Sequence, residues 1–299
     1  MSDHRLPSPF HAGEQRAQHL AGGGPAGAPI RSQMPDQHRS FFPLLPFLCV
    51  AVPDDTGWPL ATLLHGDPGF VSSPAPGTLH VAALPGAGDA ARACLASGRE
   101  IGLLGIDLAT RRRNRANGVV AQVDGQGLSV RVHQSFGNCP KYIHVRRLAR
   151  VEREPGPVEA FGADLPQAAV SMIAGCKTMF VATSSGAAPG RAVRGLDISH
   201  RGGAAGFLRA KGNVLTVPDY PGNRYFNTLG NLLLEPRAAL VMVDFSSGDM
   251  LQLQGVAEVA WDARGAGDDA LAERAWTFTI VRGWLRRGGF GLEELQAEG

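Results

Sequence analysis

Two series of short apolar segments run through this 299-residue chain, and their landmarks recur in the same order. Asp107 and Asp244 each end an apolar segment, and each is followed eleven residues later by a glycine, Gly118 or Gly255. The other matched landmarks, in chain order, are Gly69-Phe70 with Gly206-Phe207, Val81 with Val217, and Pro85-Gly86 with Pro221-Gly222. An ordered set of matches at nearly equal spacing indicates an internal repeat. The sequence therefore predicts a tandem duplication of one small domain.

The apolar segments themselves have the pattern of β-strands. They are short, and turn sequences such as DDTG, GDPG, PAPG and DGQG separate them. Glycine and proline, 39 and 21 residues, together make up about a fifth of the chain, which favours many strands joined by turns. We predict a mainly β protein with short helices, one of them at residues 89–96. The predicted strands are 47–52, 59–64, 79–83, 101–108, 118–123 and 128–132 in the first series, and 179–183, 191–198, 214–217, 239–245, 251–259 and 276–282 in the second.

Composition along the chain predicts four regions. Residues 1–33 are rich in Gly, Ala, Pro and His and are expected to form a flexible N-terminal arm, with one short helical possibility at 14–20. The first domain then spans 34–150. A linker rich in Pro and Glu follows at 151–167, and the second domain, with a C-terminal tail, spans 168–299.

Charge and cysteine usage exclude several classes of function. Lys+Arg exceed Asp+Glu by only 29 − 27 = 2, which is too little to indicate a nucleic-acid surface. The four cysteines lack metal-ligand spacing, so no metal site is expected and reduced cytoplasmic thiols are the default. No apolar run has the length of a membrane span, and residues 1–24 lack a signal-peptide core. We expect a soluble cytoplasmic protein that binds neither membrane nor nucleic acid.

Residues 111–115, RRRNR, are a conspicuous basic run. They lie between two predicted strands and have few aromatic neighbours that could stack on bases. We interpret the run as a solvated strand edge, with ion pairing between the domains as the alternative.

Residues 197–245 concentrate the features of a binding site. They have the pattern of a strand, a glycine turn, a second strand and a helix that Pro236 must end. Asn223 is a good N-cap, so the free N–H groups around Arg224 and Tyr225 would form a seat for an anion, which Arg201 could complete. The alternative is an ordinary capped helix.

The segment PDYPGNRYFNTLGNLLLEPRAALVMVDF, preceded by DISHRGG and GF, resembles the pyridoxamine 5'-phosphate oxidase-like family of FMN-binding split barrels. The resemblance implies two tandem split β-barrels of the Greek-key type in one chain, with FMN in the groove between them. It also implies that the strand before the turn and the start of the next helix hold the ribityl phosphate. The candidate cofactor-binding residues on this strand, turn and helix are Ser199, His200, Arg201, Gly202, Pro218, Asp219, Asn223, Arg224, Phe226 and Asn227.

The two copies differ where the phosphate would bind. Asp89 lies at the predicted helix start in the first copy, where its carboxylate would repel a phosphate, so we expect the second copy to bind FMN. The first barrel would supply a wall through residues 134–142, for which a polar interdomain loop is the equal alternative. For His200, a surface turn is the alternative to contact with the flavin. The candidate binding residues in the first barrel are Gln134, Ser135, Asn138 and Lys141.

The function implied by the resemblance is that of an FMN-dependent oxidoreductase, in which the flavin transfers hydride or electrons to an unknown substrate. The electron donor would be a small molecule or a protein, and a homodimer is possible. No catalytic side chain is predicted; Cys139 is interpreted as a small buried residue. Residues 282–287 do not reproduce the C-terminal substrate-binding stretch of true pyridoxamine-phosphate oxidases. The alternatives are a non-catalytic protein that carries flavin or haem, and a pair of empty barrels that serve assembly.

Overall fold

The structure is a computed structural model and describes residues 8–186, 195–261 and 269–295. Most of the chain forms two antiparallel sheets, one from each half of the sequence. We call each sheet with its connecting segments a barrel. The first barrel contains β1 (Phe47–Pro53), β2 (Pro59–His65), β3 (Val71–Ala75), β4 (Thr78–Val81), β5 (Glu100–Asp107), β6 (Arg112–Val123) and β7 (Leu128–Gly137).

The second barrel repeats this set of strands. After β8 (Leu148–Arg150) and β9 (Val158–Phe161) come β10 (Thr178–Ser184), β11 (Leu196–Gly202), β12 (Arg209–Lys211), β13 (Val214–Asp219), β14 (Arg237–Val243), β15 (Met250–Ala260) and β16 (Arg274–Arg286). β9 extends this sheet alongside β16, and β8 pairs with β17 (Leu292–Glu294). The helices are α1 (Ala12–Leu20), α2 (Asp36–Arg39), α3 (Gln167–Gly175) and α4 (Asn227–Leu232).

The two sheets have the same strand order. The first runs β2-β1-β5-β6-β7-β4-β3 and the second β11-β10-β14-β15-β16-β13-β12, so each strand has a counterpart nine strands later. In both, β-strands that are distant in sequence lie side by side, as in Greek-key connections. The predicted fold class, mainly β with two tandem barrels, is confirmed.

A bulge at one position repeats as well. The β6–β7 register shifts between Asn117 and Gly118, and the β15–β16 register shifts between Gln254 and Gly255. At each of these glycines an added Cβ would collide with a carbonyl oxygen of the partner strand. A bulge inserts one unpaired residue and bends its strand. Its recurrence beside the two matched glycines confirms that the landmarks in the sequence mark equivalent positions.

The side chains of β1 face two different cores in alternation, and this explains how the barrels join. Leu48, Val50 and Val52 face the core of the first barrel, while Phe47, Cys49 and Ala51 face a separate core between the barrels. Successive strand residues point to opposite faces, so β1 is buried on both sides. β10 contributes Phe180 and Ala182 to the same shared core. The two sheets therefore pack face against face across a continuous apolar layer.

Several segments differ from the sequence-based expectations. Residues 8–33, predicted as flexible arm, pack on the second barrel through α1 and pair with β7 through a bridge between Arg31 and Ser135. The predicted helix at 89–96 is instead one 3-10 turn at Arg92–Cys94, and the Asp89 carboxylate before it is buried and accepts a hydrogen bond from the N–H of Ala91. β6 begins at Arg112, so most of the basic run is part of a strand.

Of the predicted strand at 191–198, residues 191–194 lie outside the described chain. Among the described residues, no helix is long and apolar enough to span a membrane.

Candidate functional site

A cleft lies between the two barrels. Its empty space, with the open mouth included, is about 820 Å³. One wall comes from β6 and residues 138–142 of the first half of the chain. The other wall comes from β11, the end of β13, residues 220–229 and the start of β16. Both halves of the chain are therefore needed to form it.

The cleft brings together eleven of the fourteen candidate residues from the sequence. These are Ser199, His200, Arg201, Gly202, Asp219, Asn223, Arg224, Phe226, Asn227, Asn138 and Lys141. Three candidates lie elsewhere. Pro218 is buried in the sheet opposite Ala275, Ser135 shares a 2.7 Å hydrogen bond with Nδ1 of His38, and Gln134 lines a small cavity beside α1.

The predicted helix start is wrong. α4 begins at Asn227, and its N-cap, Phe226, is left-handed with φ of 60° and caps no N–H with its side chain. Arg224 is also left-handed, with φ of 59°, so no regular helix can run through these two residues. The Asn223 side chain instead accepts a hydrogen bond from the N–H of Tyr225, at 3.2 Å. Residues 223–226 thus line the cleft as a strained loop, and not as the first turn of a helix.

Phe226 is held in this conformation by its contacts. The Arg274 guanidinium lies 5.0 Å from the centre of its ring, and Trp261 meets the ring edge-on at 6.3 Å between centroids. Left-handed backbone costs a non-glycine residue about 1 kcal/mol or more, so such packing is required to keep it. Strained positions of this kind cluster at binding sites.

Five arginines line the cleft, and three of them were missed as site residues from the sequence. Arg113 and Arg115 alternate along β6 and both line the cleft, whereas Arg111 and Arg112 are exposed. Interpretation of the run as a solvated strand edge is therefore wrong for these two residues. In a strand every second side chain points to the same face, so the spacing of Arg113 and Arg115 could have indicated a shared face if this run had been recognised as a strand. Arg274, at the start of β16, carried no signal in the sequence.

Most of these arginines have carboxylate partners. Nε of Arg115 lies 3.1 Å from Oδ1 of Asp197, so the alternative of ion pairing between the domains is confirmed for this residue. Nη1 of Arg274 lies 2.8 Å from Oδ2 of Asp219, and Nη2 of Arg201 lies 3.6 Å from Oδ1 of that carboxylate.

Arg113 and Arg224 have no described carboxylate at ion-pair distance. Among the described residues the Arg113 side chain has one hydrogen-bond contact, 3.3 Å from its Nη1 to Nδ1 of His200, whereas Arg224 donates to the carbonyl of Ala21. Burial, together with the nearby Arg115 and Arg201, lowers the pKa of Arg113 to about 9. Burial and Arg113 likewise lower the pKa of His200 well below its ordinary value, so this imidazole is neutral at pH 7. The cleft therefore holds more positive charge than its own carboxylates balance.

Four buried polar atoms of the cleft side chains have no hydrogen-bond partner in the described structure. They are Nε of Arg113, Oδ1 of Asn138, Nε2 of His200 and Nε of Arg201. Buried polar atoms are nearly always bonded, so a cluster of exceptions needs an explanation. A ligand that both accepts and donates hydrogen bonds would satisfy this set. A phosphate accepts from guanidinium groups, and a flavin ring edge offers both donor and acceptor atoms.

His200 is not a surface residue. It lies on β11, is 4% exposed, and its ring contacts the edge of Phe180 at 5.7 Å between centroids. The alternative of a surface turn histidine is wrong, because the SHRGG segment continues the strand instead of forming a turn.

Two tyrosines and a thiol lie at the mouth of the cleft. The rings of Tyr142 and Tyr220 are 5.0 Å apart at an angle of 31°. The Tyr142 hydroxyl donates to the carbonyl of Pro221 at 3.0 Å, which ties the 138–142 loop to the second barrel. Cys139 lines the cleft and is half-buried. The loop between the barrels is thus polar and also part of the site.

The equivalent position in the first barrel is filled by protein atoms. Gln252 lies eight residues after Asp244, as Arg115 lies eight after Asp107, and both donate to a strand carbonyl of the other barrel. Where the second barrel has its cleft, the first has the buried carboxylate of Asp89, 2.6 Å from Nη1 of Arg286. Asp89 was expected to repel a phosphate from a helix start. In the structure the first barrel lacks a cleft for a different reason, because the buried ion pair between Asp89 and Arg286 occupies the equivalent space.

No family model matches the sequence, and no curated protein matches it. Solved structures match parts of it. An FAD-binding protein from Mesorhizobium loti is 12% identical and covers 44% of this chain and 97% of its own, with a TM-score of 0.30. HupZ from group A Streptococcus is 12% identical and covers 40% and 98%, also at 0.30. A protein of the pyridoxinephosphate oxidase family from Clostridium acetobutylicum, related to general stress protein 26, is 15% identical and covers 43% and 92%, at 0.27.

The last of these structures is described as a member of the family that the sequence was predicted to resemble. Each of these split-barrel matches spans less than half of this chain, which has two sheets of one strand order.

Proposed function

We propose that the protein binds one FMN in the cleft between its two split barrels. The observation that carries the proposal is the cluster of four buried polar atoms without a described partner, one of them on Arg113, which has no carboxylate partner among the described residues. Such an arrangement is costly in the absence of a ligand and becomes favourable when an anion with hydrogen-bonding edges enters.

The residues that would hold FMN divide into two groups. Arg201 and Arg113 would bind the phosphate, because their guanidinium groups have free donors and the surrounding charge is positive. Asn138 and His200 would meet polar edges of the ring or the ribityl chain. Because Nδ1 of neutral His200 accepts from Arg113, its Nε2 carries the proton and would donate to an acceptor atom of the flavin edge.

We further propose an oxidoreductase of the kind that the family resemblance implies. Bound flavin would supply hydride or electron transfer, and the protein would orient it and exclude water from one side. No protein acid or base is required, and the substrate and the electron donor would come from outside this chain. The alternative is a carrier that binds flavin or haem without turnover.

Binding of FMN to the purified protein tests the first proposal. We expect quenching of flavin fluorescence and a native mass that corresponds to one FMN per chain. Arg201→Gln should weaken FMN binding by roughly ten- to a hundredfold, the range for loss of a charge-assisted hydrogen bond. Arg131→Gln is the matched control, since Arg131 is exposed, hydrogen-bonds to His133 and lies outside the cleft.

Two further measurements separate the enzyme from the carrier. Bleaching of the bound flavin by NADH or NADPH, with recovery on addition of an acceptor, supports the oxidoreductase. Bound flavin that no donor reduces supports the carrier, and a haem Soret band with no flavin affinity contradicts the FMN proposal. Equal FMN affinity of wild type and Arg201→Gln would show that FMN binds elsewhere.

A further inference from the structure

The N-terminal helix packs directly on the segment that lines the cleft. Gly13 of α1 meets Gly230 of α4 so closely that a Cβ on Gly13 would overlap the Gly230 carbonyl oxygen. Phe10, 4% exposed, packs edge-on against Tyr225 at 5.5 Å between ring centroids. Arg224 donates to the carbonyl of Ala21 at the end of α1. Contacts at both ends of α1 thus hold residues 224–230.

Glu14 connects α1 to a residue of the cleft itself. Its carboxylate is 4% exposed and accepts a hydrogen bond from Nδ2 of Asn227. The other atom of that amide, Oδ1, accepts from Nη1 of Arg115 at 2.6 Å. The Asn227 amide is therefore bonded on both sides, with Glu14 behind it and an arginine of the cleft in front. Its orientation depends on both partners.

The segment next to Asn227 needs this support. Arg224 and Phe226 both have left-handed backbone conformations, which are unfavourable for these residues in an isolated chain. The contacts from α1 and the residues that flank it fall on Arg224, on Tyr225 between the two strained positions, and on Asn227 directly after the second. Loss of α1 would remove one side of the packing that maintains them.

The charged groups around Glu14 come from three elements. His11, the N-cap of α1, contacts the Glu14 carboxylate with its N–H and its ring, Arg115 approaches from β6, and Asp197 from β11. The uncharged polar side chains in the adjoining cavity are Asn227 and Asn231 of α4, Gln134 of β7 and Asn117 of β6. Burial is the largest cause that raises the pKa of Glu14 from 4.5 to about 7, and Asp197 adds to it.

We propose that α1 is a functional part of the ligand site and that Glu14 is a positioning residue, which orients the Asn227 amide and holds residues 224–227 in their ligand-binding conformation. This inference rests on the FMN site proposed above. α1 is thus a structural support of the cleft, although its sequence has the composition of a flexible arm.

The sign of the pH effect follows from the raised pKa. Below pH 4.5 the carboxyl is neutral whether α1 is docked or free, so its titration costs nothing. As pH rises from 4.5 to about 7, the docked form holds a proton that the free form has lost, so docking weakens over this window and then levels off. Above about pH 7 the docked helix carries a buried carboxylate beside the site of an anion. FMN affinity of the wild type should therefore fall, relative to a neutral variant, as pH rises through about 7.

The experiment uses the full chain in four forms: wild type, Glu14→Gln, Glu14→Ala and Arg16→Ala. Gln keeps the acceptor for Asn227 and cannot ionise, whereas Ala removes the acceptor. Arg16 is an exposed residue of the same helix and serves as control. Amide hydrogen exchange over residues 224–233 without ligand reports on support of the segment. Titrations with FMN and with inorganic phosphate across neutral pH report on the site.

We expect Glu14→Ala to speed exchange in this segment and to weaken FMN binding roughly tenfold, as for loss of one buried hydrogen bond. Glu14→Gln should match the wild type below neutral pH and bind more tightly than it above, which a merely structural residue would not produce. Unchanged exchange and affinity in Glu14→Ala would overturn the inference, and so would identical pH profiles for wild type and Glu14→Gln.

Failure of the proposed function is distinguishable from failure of this inference. If wild type binds phosphate but not FMN, the FMN proposal falls, while faster exchange and weaker phosphate binding in Glu14→Ala still support the role of α1. If wild type binds neither probe, both proposals fall.

Discussion

Arg115 of the first barrel and Asp197 of the second form a buried ion pair across the boundary between them, with Nε 3.1 Å from Oδ1. The same arginine donates to the carbonyl of Ile198 at 3.2 Å and to the Asn227 side chain at 2.6 Å. Asp197 is also 3.4 Å from Nδ2 of Asn117. Because one guanidinium contacts both β11 and α4, it links the barrel interface to the cleft.

Removal of the Arg115 side chain should destabilise the whole chain. In Arg115→Met the Asp197 carboxylate stays buried without its cation, and loss of one partner of a buried pair costs about 3–5 kcal/mol. Urea denaturation measures this loss. The double variant Arg115→Met/Asp197→Asn should recover part of it, because no buried charge is left unpaired. A loss below about 1 kcal/mol in the single variant would mean that the pair is not buried in solution.

Arg113→Met should have the opposite effect on stability. Arg113 is a buried cation beside two others and has no described carboxylate partner, so its removal relieves repulsion and desolvation. We expect the ligand-free protein to be as stable as wild type or about 1 kcal/mol more stable, while FMN affinity falls at least tenfold. Thermal unfolding with and without FMN gives both quantities. A variant that is less stable without ligand yet binds FMN normally would contradict the assignment of Arg113 to the anion.

Asp89→Ala tests which barrel binds. The change leaves Arg286 buried without a partner and should cost about 3 kcal/mol or more in unfolding free energy. FMN affinity should stay within about twofold of wild type at a temperature where the variant is folded, since the pair lies in the other barrel. Isothermal titration checks this. Loss of FMN binding as large as that in Arg201→Gln would place a ligand contact in the first barrel.

The repeated bulge predicts equal effects of two distant substitutions. Gly118→Ala and Gly255→Ala would each force a methyl group onto a carbonyl oxygen of the neighbouring strand, and each should lower stability by about 2 kcal/mol. Gly125→Ala, in the turn between β6 and β7, is the control, because no atom lies within 4 Å of the added Cβ. Its effect should be within about 0.5 kcal/mol, as for other surface changes. A bulge glycine that tolerates alanine would show that the register in that barrel is different.

The repeat and most strands could be predicted because their signals are local or periodic. Asp107 and Asp244 fall at or just after the ends of equivalent strands, and Gly118 and Gly255 mark the same bulge. The start of α4 could not be predicted, because Asn223 is a good capping residue and nothing nearby shows that Arg224 and Phe226 adopt left-handed backbone. That conformation depends on Arg274 and Trp261, which follow much later in the chain.

The site was predictable only where its residues cluster in sequence. Ser199 to Gly202 and Asn223 to Asn227 are contiguous segments with recognisable chemistry, and both line the cleft. Arg113 and Glu14 come from the other barrel and from the N-terminal helix, and their roles follow from packing between distant parts of the chain. Composition favoured a flexible arm at residues 1–33 because glycine is abundant there, and in the structure Gly13 is what allows α1 to approach α4.

The shared core of β1 and β10 gives the molecule the architecture of a dimer whose two subunits have been joined into one chain. In a dimer of identical subunits, symmetry obliges both binding sites to contain the same residues, and any substitution appears in both. A single gene that encodes both halves removes that obligation. One half could then fill its cavity with the buried Asp89–Arg286 ion pair, which joins distant parts of the chain, while the other half kept an open cleft lined by cations.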